Sequence, residues 1–129
     1  MPLVKVEIIE GKSQEYKNAI LNGIHAALVT AFQIPVDDRN QRLLDLPTAN
    51  FEKRATKSSN FTVIEIIAFK GRSYEAKKRL YSEVVKNLSL SPGIDSNDIL
   101  IVLNEQPLEN WGIGGKPAAK EDLGFNINV

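Results

Sequence analysis

The sequence predicts an α+β fold in which a duplicated β-α-β unit forms a four-stranded mixed sheet with two helices on one face. Two observations predict it: a motif that returns sixty residues later, and the same succession of apolar patterns around each copy. Gly11-Lys12-Ser13-Gln14-Glu15-Tyr16-Lys17 is matched by Gly71-Arg72-Ser73-Tyr74-Glu75-Ala76-Lys77. The spacing holds without gaps, because Val4, Val6 and Ile8 fall on Ile64, Ile66 and Ala68, and Ile34 and Asp38 on Ile94 and Asp98. Two copies are too few for a solenoid, so they are expected to close one domain over residues 1–129, with copies at about 2–46 and 61–106.

Each element has a local cause. Residues 2–9 and 61–69 are rich in Val, Ile and Phe and read as strands. Ser13 and Ser73 can each accept a hydrogen bond from an amide in the first turn of a following helix. Glu15 and Glu75 then put negative charge near the positive end of that helix. Ile20, Ile24, Leu28 and Ala31 recur at spacings of three and four, as do Leu80, Val84 and Leu88, joined by Tyr81 and Val85. A turn carrying Pro35, or Pro92-Gly93, ends each helix. A further strand follows at 99–103 and, more weakly, at 39–46. A helical crossover makes each strand pair parallel. The strand at 61–69 is apolar on both faces apart from Glu65, so the face without helices calls for a cover, such as another subunit. Residues 47–60 show no periodicity and read as a mobile polar loop.

Composition removes several functions. The 129 residues include 16 Lys plus Arg and 16 Asp plus Glu, so there is no cationic surplus for binding nucleic acid. There is no Cys, which removes disulfides, thiolate nucleophiles and Cys-ligated zinc, and His25 is the single histidine. No apolar run approaches a membrane span, and the first residues do not resemble a signal peptide, so a cytoplasmic protein with no membrane or nucleic-acid partner is expected. Gly11-Lys12-Ser13 lacks the glycine five residues earlier (Val6 stands there) that a phosphate loop needs. Gly112-Ile113-Gly114-Gly115-Lys116 matches a dinucleotide fingerprint in composition only and reads as a pocket wall. His25 reads as a structural, partly exposed residue, and Lys77-Lys78-Arg79 as a solvated helix face.

The amino terminus carries the chemistry. Aligning the midpoints of the two central strands, near residues 6 and 66, sets residue 2 across from residue 70. Pro2 would then lie beside Lys70 and Arg72. Removal of an initiator Met before a small residue is common processing, and it would leave Pro2 as a secondary amine. A low-dielectric pocket and adjacent cations would keep such an amine neutral near pH 7. Lys70 and Arg72 would also hold a substrate carboxylate or an enolate oxygen. Base plus oxyanion stabiliser is the minimum for moving a proton next to a carbonyl.

Met1-Pro2-Leu3, Ile9-Glu10-Gly11-Lys12-Ser13, Asp37-Asp38-Arg39-Asn40-Gln41, Gly71-Arg72-Ser73 and Asn110-Trp111-Gly112-Ile113-Gly114 occur in the order of one family. Through them the chain resembles the tautomerase superfamily, which includes 4-oxalocrotonate tautomerase and macrophage migration inhibitory factor, and within it the malonate semialdehyde decarboxylase-like branch. The resemblance implies a homotrimer with an amino-terminal Pro as the reactive group. It implies Pro2 as acid/base, Arg72 as the carboxylate-binding or carbonyl-polarising group, Asp38 as the carboxylate beside Pro, and Trp111 as a pocket wall. Lys70 stands where the decarboxylases have a second Arg, keeping the charge and losing the planar fork. Ile113 stands where an aromatic is usual. Both departures count against decarboxylation of malonate semialdehyde more than against tautomerisation. The expectation is therefore a cofactor- and metal-independent tautomerase for a small 2-oxo or 2-hydroxy-enoic acid. Catalysis is assigned to Pro2, Arg72 and Asp38, and substrate binding to Lys70, Trp111 and Ile113. The alternatives are a decarboxylase or hydratase of a short 3-oxo or unsaturated acid, and a trimeric binding module without turnover.

Overall fold

The computed structural model describes residues 2–129. In chain order it contains β1 (Pro2–Ile9), α1 (Gln14–Phe32), β2 (Gln41–Leu46), β3 (Thr62–Phe69), α2 (Tyr74–Leu90) and β4 (Ile99–Gln106), then a short hairpin of β5 (Gly112–Ile113) and β6 (Lys116–Pro117). The sheet order is β2-β1-β3-β4, parallel in the outer pairs and antiparallel at the centre. This is the duplicated β-α-β arrangement that the sequence predicts.

The helices begin where the serines stand. Ser13 Oγ accepts from the Tyr16 amide at 3.1 Å, and Ser73 Oγ accepts from the Ala76 amide at 3.1 Å. One face of the sheet, carrying Val4, Val6, Ile8, Ile64 and Ile66, packs against Ile20, Ile24 and Leu28 of α1 and Leu80, Val84 and Leu88 of α2. Each of these aliphatic side chains, withdrawn from water, contributes about 2 kcal/mol. On the opposite face a smaller cluster of Phe69, Trp111 and Ile127 sits under the C-terminal segment, beside Leu3 and Ile67. Leu44, Leu100 and Val102 remain exposed on the strands.

The sixty-residue repeat extends into the contacts. Val4 pairs with Gln41 and Ile64 with Ile101. Lys17 bonds Asp45 at 2.6 Å, and Lys77 bonds Glu105 at 2.6 Å.

The central register differs from the expected one. Pro2 opposes Ala68, not residue 70, and Lys5 opposes Glu65. The slip is two residues, so every side chain keeps its face. Charge explains it. The expected register would set Glu7 against Glu65, whereas the observed one pairs Glu65 with Lys5, Nζ to Oε1 at 3.8 Å, and Glu7 with Val63.

The linker between the copies is also more structured than a mobile loop. The Ser58 amide and hydroxyl donate to the two Asp98 carboxylate oxygens at 2.9 and 2.5 Å, and Lys12 Nζ donates to Asn60 Oδ1 at 2.5 Å. Phe51 meets Phe61 edge to face at 6.0 Å.

Candidate active site

The turn that leaves β3, Phe69-Lys70-Gly71-Arg72-Ser73, holds Arg72, the one buried Lys or Arg among the described residues. Gly71 has φ +147°, and a Cβ there would come within 3.1 Å of Asn128 Oδ1 and of the Ile127 carbonyl oxygen. Glycine is therefore required twice, for the backbone angle and for the close approach of the C-terminal segment. The Ser73 amide donates to the Val129 carbonyl at 3.0 Å, which fixes that segment across the turn.

Beneath it Arg72 is only 5% exposed. Its Nη1 donates to the Phe69 carbonyl at 3.0 Å. Its guanidinium carbon lies 4.7 Å from the ring centroid of Phe32 and 6.0 Å from that of Phe125. Nε and Nη2 are buried and have no hydrogen-bond partner. Burial pulls the Arg72 pKa down from its ordinary value, and the negative charges of Glu105 and Asp38 oppose that pull. Glu105 is itself engaged by Lys77. A buried cation with two unmatched nitrogens costs several kcal/mol, which an anion placed against them would recover.

Asp38 reaches the same region from the loop after α1. The Val4 amide donates to the Asn40 carbonyl at 3.0 Å. Asp38 lines the cavity described below, which Pro2 does not. Pro2 is buried at the start of β1. Asn40 Nδ2 donates to Asp38 Oδ1 at 2.9 Å. His25, expected to be partly exposed, is buried, and its Nε2 lies 2.7 Å from the Val36 carbonyl, so the ring donates there and ties the Asp38 loop to α1.

A cavity of about 340 Å³ opens between Pro35, Asp37, Asp38, Phe69, Ile113 and Phe125. Trp111 does not line it but packs on Phe69, which does, with ring centroids 4.6 Å apart. Ile113 is exposed on the hairpin. Lys70 is not in this group: it is exposed and lines a separate recess with Pro107, Leu108 and Lys120. A larger recess of about 680 Å³, beside Lys53, Arg54, Lys57 and Phe61, contains none of the residues the sequence singled out. Sequence reasoning assigns no role to Phe32 or Phe125. Phe32 extends the apolar spacing of α1 and reads as core, while the segment around Phe125 has no periodicity to interpret.

Two family models described as tautomerase enzyme match the chain, one over residues 38–114 and the other over residues 2–52. The chain belongs to the tautomerase family. A probable tautomerase of Bacillus subtilis, YrdN, is 28% identical over 119 residues, covering 88% of this tautomerase-family chain and 92% of its own. The 2-hydroxymuconate tautomerase of Pseudomonas putida is 33% identical over 58 residues, 45% of this chain and 92% of its own, as a single copy of the repeat would be. The crystal structure of malonate semialdehyde decarboxylase superposes with a TM-score of 0.80 at 26% identity, covering 87% of this chain and 90% of that one. Among the described residues of this tautomerase-family protein, no helix is long and apolar enough to cross a membrane.

Proposed function

We propose that this tautomerase-family protein is a cofactor-independent isomerase that moves a proton on a small 2-oxo or 2-hydroxy-enoic acid. One observation carries the reading: the buried Arg72, its Nε and Nη2 unmatched, stands behind Phe69 and Phe125, which line a cavity together with Asp38. The two unmatched nitrogens suit a carboxylate or enolate oxygen. With Met1 removed, Pro2 offers a secondary amine whose protonated form burial at the start of β1 disfavours. In the enol-to-keto direction the Pro2 nitrogen takes the enol O–H proton and delivers it to carbon 3. Arg72 holds the negative charge in between. Asp38 orients the substrate or water, and Trp111 and Ile113 wall the pocket. The chain acts as one domain. A homotrimer is part of the proposal, because Leu44, Leu100 and Val102 leave the helix-free face apolar.

The test is the enol-to-keto conversion of phenylpyruvate, followed in wild type and Pro2→Ala, with the intact mass recorded. A loss of about 100-fold in the variant is expected for removal of a general base. Equal rates in a wild type shown to have lost Met1 would end the proposal. Retained Met1 would make the Pro2 nitrogen an amide and abolish its basicity.

A second reading is decarboxylation or hydration of a short 3-oxo or unsaturated acid. It is favoured by the structural likeness to malonate semialdehyde decarboxylase and by the Asp38 carboxylate lining the cavity. Carbon dioxide release that disappears in Asp38→Asn would support it.

A further inference from the structure

We infer that the candidate cavity continues into a second hollow under the β5–β6 hairpin, that this hollow is a subsite for the apolar tail of the substrate, and that the acidic wall before it turns away a second carboxylate. The inference rests on the isomerase reading for the group that reacts, and it narrows the substrate to a monocarboxylic 2-oxo acid with an aryl or short alkyl tail.

The hairpin is fixed locally. Gly114 and Gly115 stand at φ +59° and +85°, the left-handed pair that a two-residue turn between antiparallel strands requires. Ile113 is thereby set against Lys116, and the Ala118 amide donates to the Trp111 carbonyl at 2.9 Å, which ties the hairpin to the Phe69–Trp111 cluster. The chain then turns back, the Asp122 amide donating to the Ala119 carbonyl at 3.0 Å, and Leu123 packs on the same cluster. Hairpin and turn enclose a hollow of about 240 Å³ lined by Pro117, Ala118 and Ala119. Ile113, Asp122 and Leu123 line it too, and they also line the 340 Å³ cavity that takes Asp38. The two hollows therefore adjoin.

Their walls differ in chemistry. Apart from Lys116 and Asp122, whose opposite charges cancel, the second hollow offers apolar side chains. Its two alanines leave space open, and since a dry cavity of about 150 Å³ holds benzene, there is room for a phenyl ring or a short alkyl chain. The first cavity is lined by Asp37, Asp38 and Asp122 and by no Lys or Arg. One anionic group of the substrate can be matched by Arg72 behind Phe69 and Phe125. A second carboxylate would pass three like charges to reach only Lys116, so a dicarboxylate such as 2-hydroxymuconate is expected to be a poor substrate.

The experiment is a calorimetric titration with four carboxylates that cannot tautomerise: butanoate, hexanoate, 3-phenylpropanoate and the dicarboxylate hexanedioate. Wild type is expected to bind hexanoate about tenfold more tightly than butanoate, because each buried CH₂ strengthens binding roughly three- to fourfold. Hexanedioate is expected to bind at least tenfold more weakly than hexanoate. Ala119→Leu fills the second hollow, so its loss should grow with the tail, about tenfold for hexanoate and 3-phenylpropanoate and under about twofold for butanoate. Asp122→Asn should narrow the gap between hexanoate and hexanedioate roughly three- to fivefold. The ligand series in wild type decides the matter by itself should Ala119→Leu fail to fold.

No gain from butanoate to hexanoate in wild type would overturn the inference. So would equal losses for every ligand in folded Ala119→Leu, and so would hexanedioate bound as tightly as hexanoate, with Lys116 receiving the far carboxylate. Tail-dependent binding without phenylpyruvate turnover would instead defeat the isomerase reading and leave the subsite standing, and turnover without tail dependence would do the reverse.

Discussion

The two copies of the repeat carry the same turn after their first strand and treat it in opposite ways. In the first, Lys12 takes the place that Arg72 has in the second. Lys12 lies 5.1 Å from the Tyr16 ring centroid and is satisfied by Asn60 at 2.5 Å. Asp98, the counterpart of Asp38, is buried and takes two hydrogen bonds from Ser58. Around the Lys12 turn Phe51 and Thr62 stand at the repeat positions that Trp111 and Pro2 hold around the Arg72 turn. The linker thus supplies the first copy with its own partners. In the second copy the C-terminal segment packs over Arg72 and leaves two of its nitrogens unmatched. One backbone plan therefore yields a closed end and a poised one, and the difference lies in which connecting segment returns over the turn.

The sharpest way to break this comparison is to neutralise each cation in turn. Arg72→Ala should lower kcat/KM for phenylpyruvate by roughly 10² to 10³, the range for losing a charged stabiliser of a developing anion. Lys12→Ala should leave it within about twofold. A comparable loss from both would erase the functional asymmetry.

The glycines that open the two turns sharpen it next. Gly11 has φ +110° and open space for 4 Å around the point a Cβ would occupy, whereas Gly71 has φ +147° and two atoms at 3.1 Å. Gly11→Ala should cost about 1 kcal/mol from backbone strain alone, and Gly71→Ala about 2 to 3 kcal/mol, read from urea unfolding. Equal costs would mean that the C-terminal segment does not press on the Arg72 turn.

The smallest effect concerns acid. The hydrogen bonds from Ser58 hold the Asp98 carboxyl below its ordinary pKa, with lesser help from Lys57 and Lys53. A carboxyl depressed on folding adds stability that is present above its unfolded pKa, about 3.9, and is lost as pH falls through the lower folded value. Ser58→Ala should therefore lose part of that stability at neutral pH, and the difference from wild type should shrink below about pH 4. A difference that does not change with pH would separate the Ser58 contacts from the charge on Asp98.

Much of the fold is legible in the sequence because it is written locally. Val4, Val6 and Ile8 alternate, Ser13 and Ser73 cap, and Leu80, Val84 and Leu88 follow a helical period. The register is not local. The same alternation fits pairings two residues apart, and the choice falls to where Lys5, Glu7 and Glu65 come to face one another. The candidate site divides along similar lines. Pro2, Asp38 and Arg72 stand out through the repeat and the family resemblance. Phe32 is indistinguishable from any core residue of α1, and Phe125 belongs to a segment whose place depends on Gly71. Lys70 looks like a partner of Arg72 in sequence, yet Gly71, at φ +147°, interrupts the extended chain between them, and Lys70 projects to solvent while Arg72 is buried.

The pairing of Lys5 with Glu65 has a consequence for how such a molecule could arise. These residues occupy the same position in the two copies and face each other, so they mark the approximate dyad. Were the copies separate identical chains, whatever stood there would confront its own duplicate, lysine against lysine or glutamate against glutamate. Joining them in one polypeptide releases that position from self-complementarity and lets opposite signs meet. The covalent tie thus makes heterodimer-like chemistry available to a protein encoded as a single strand.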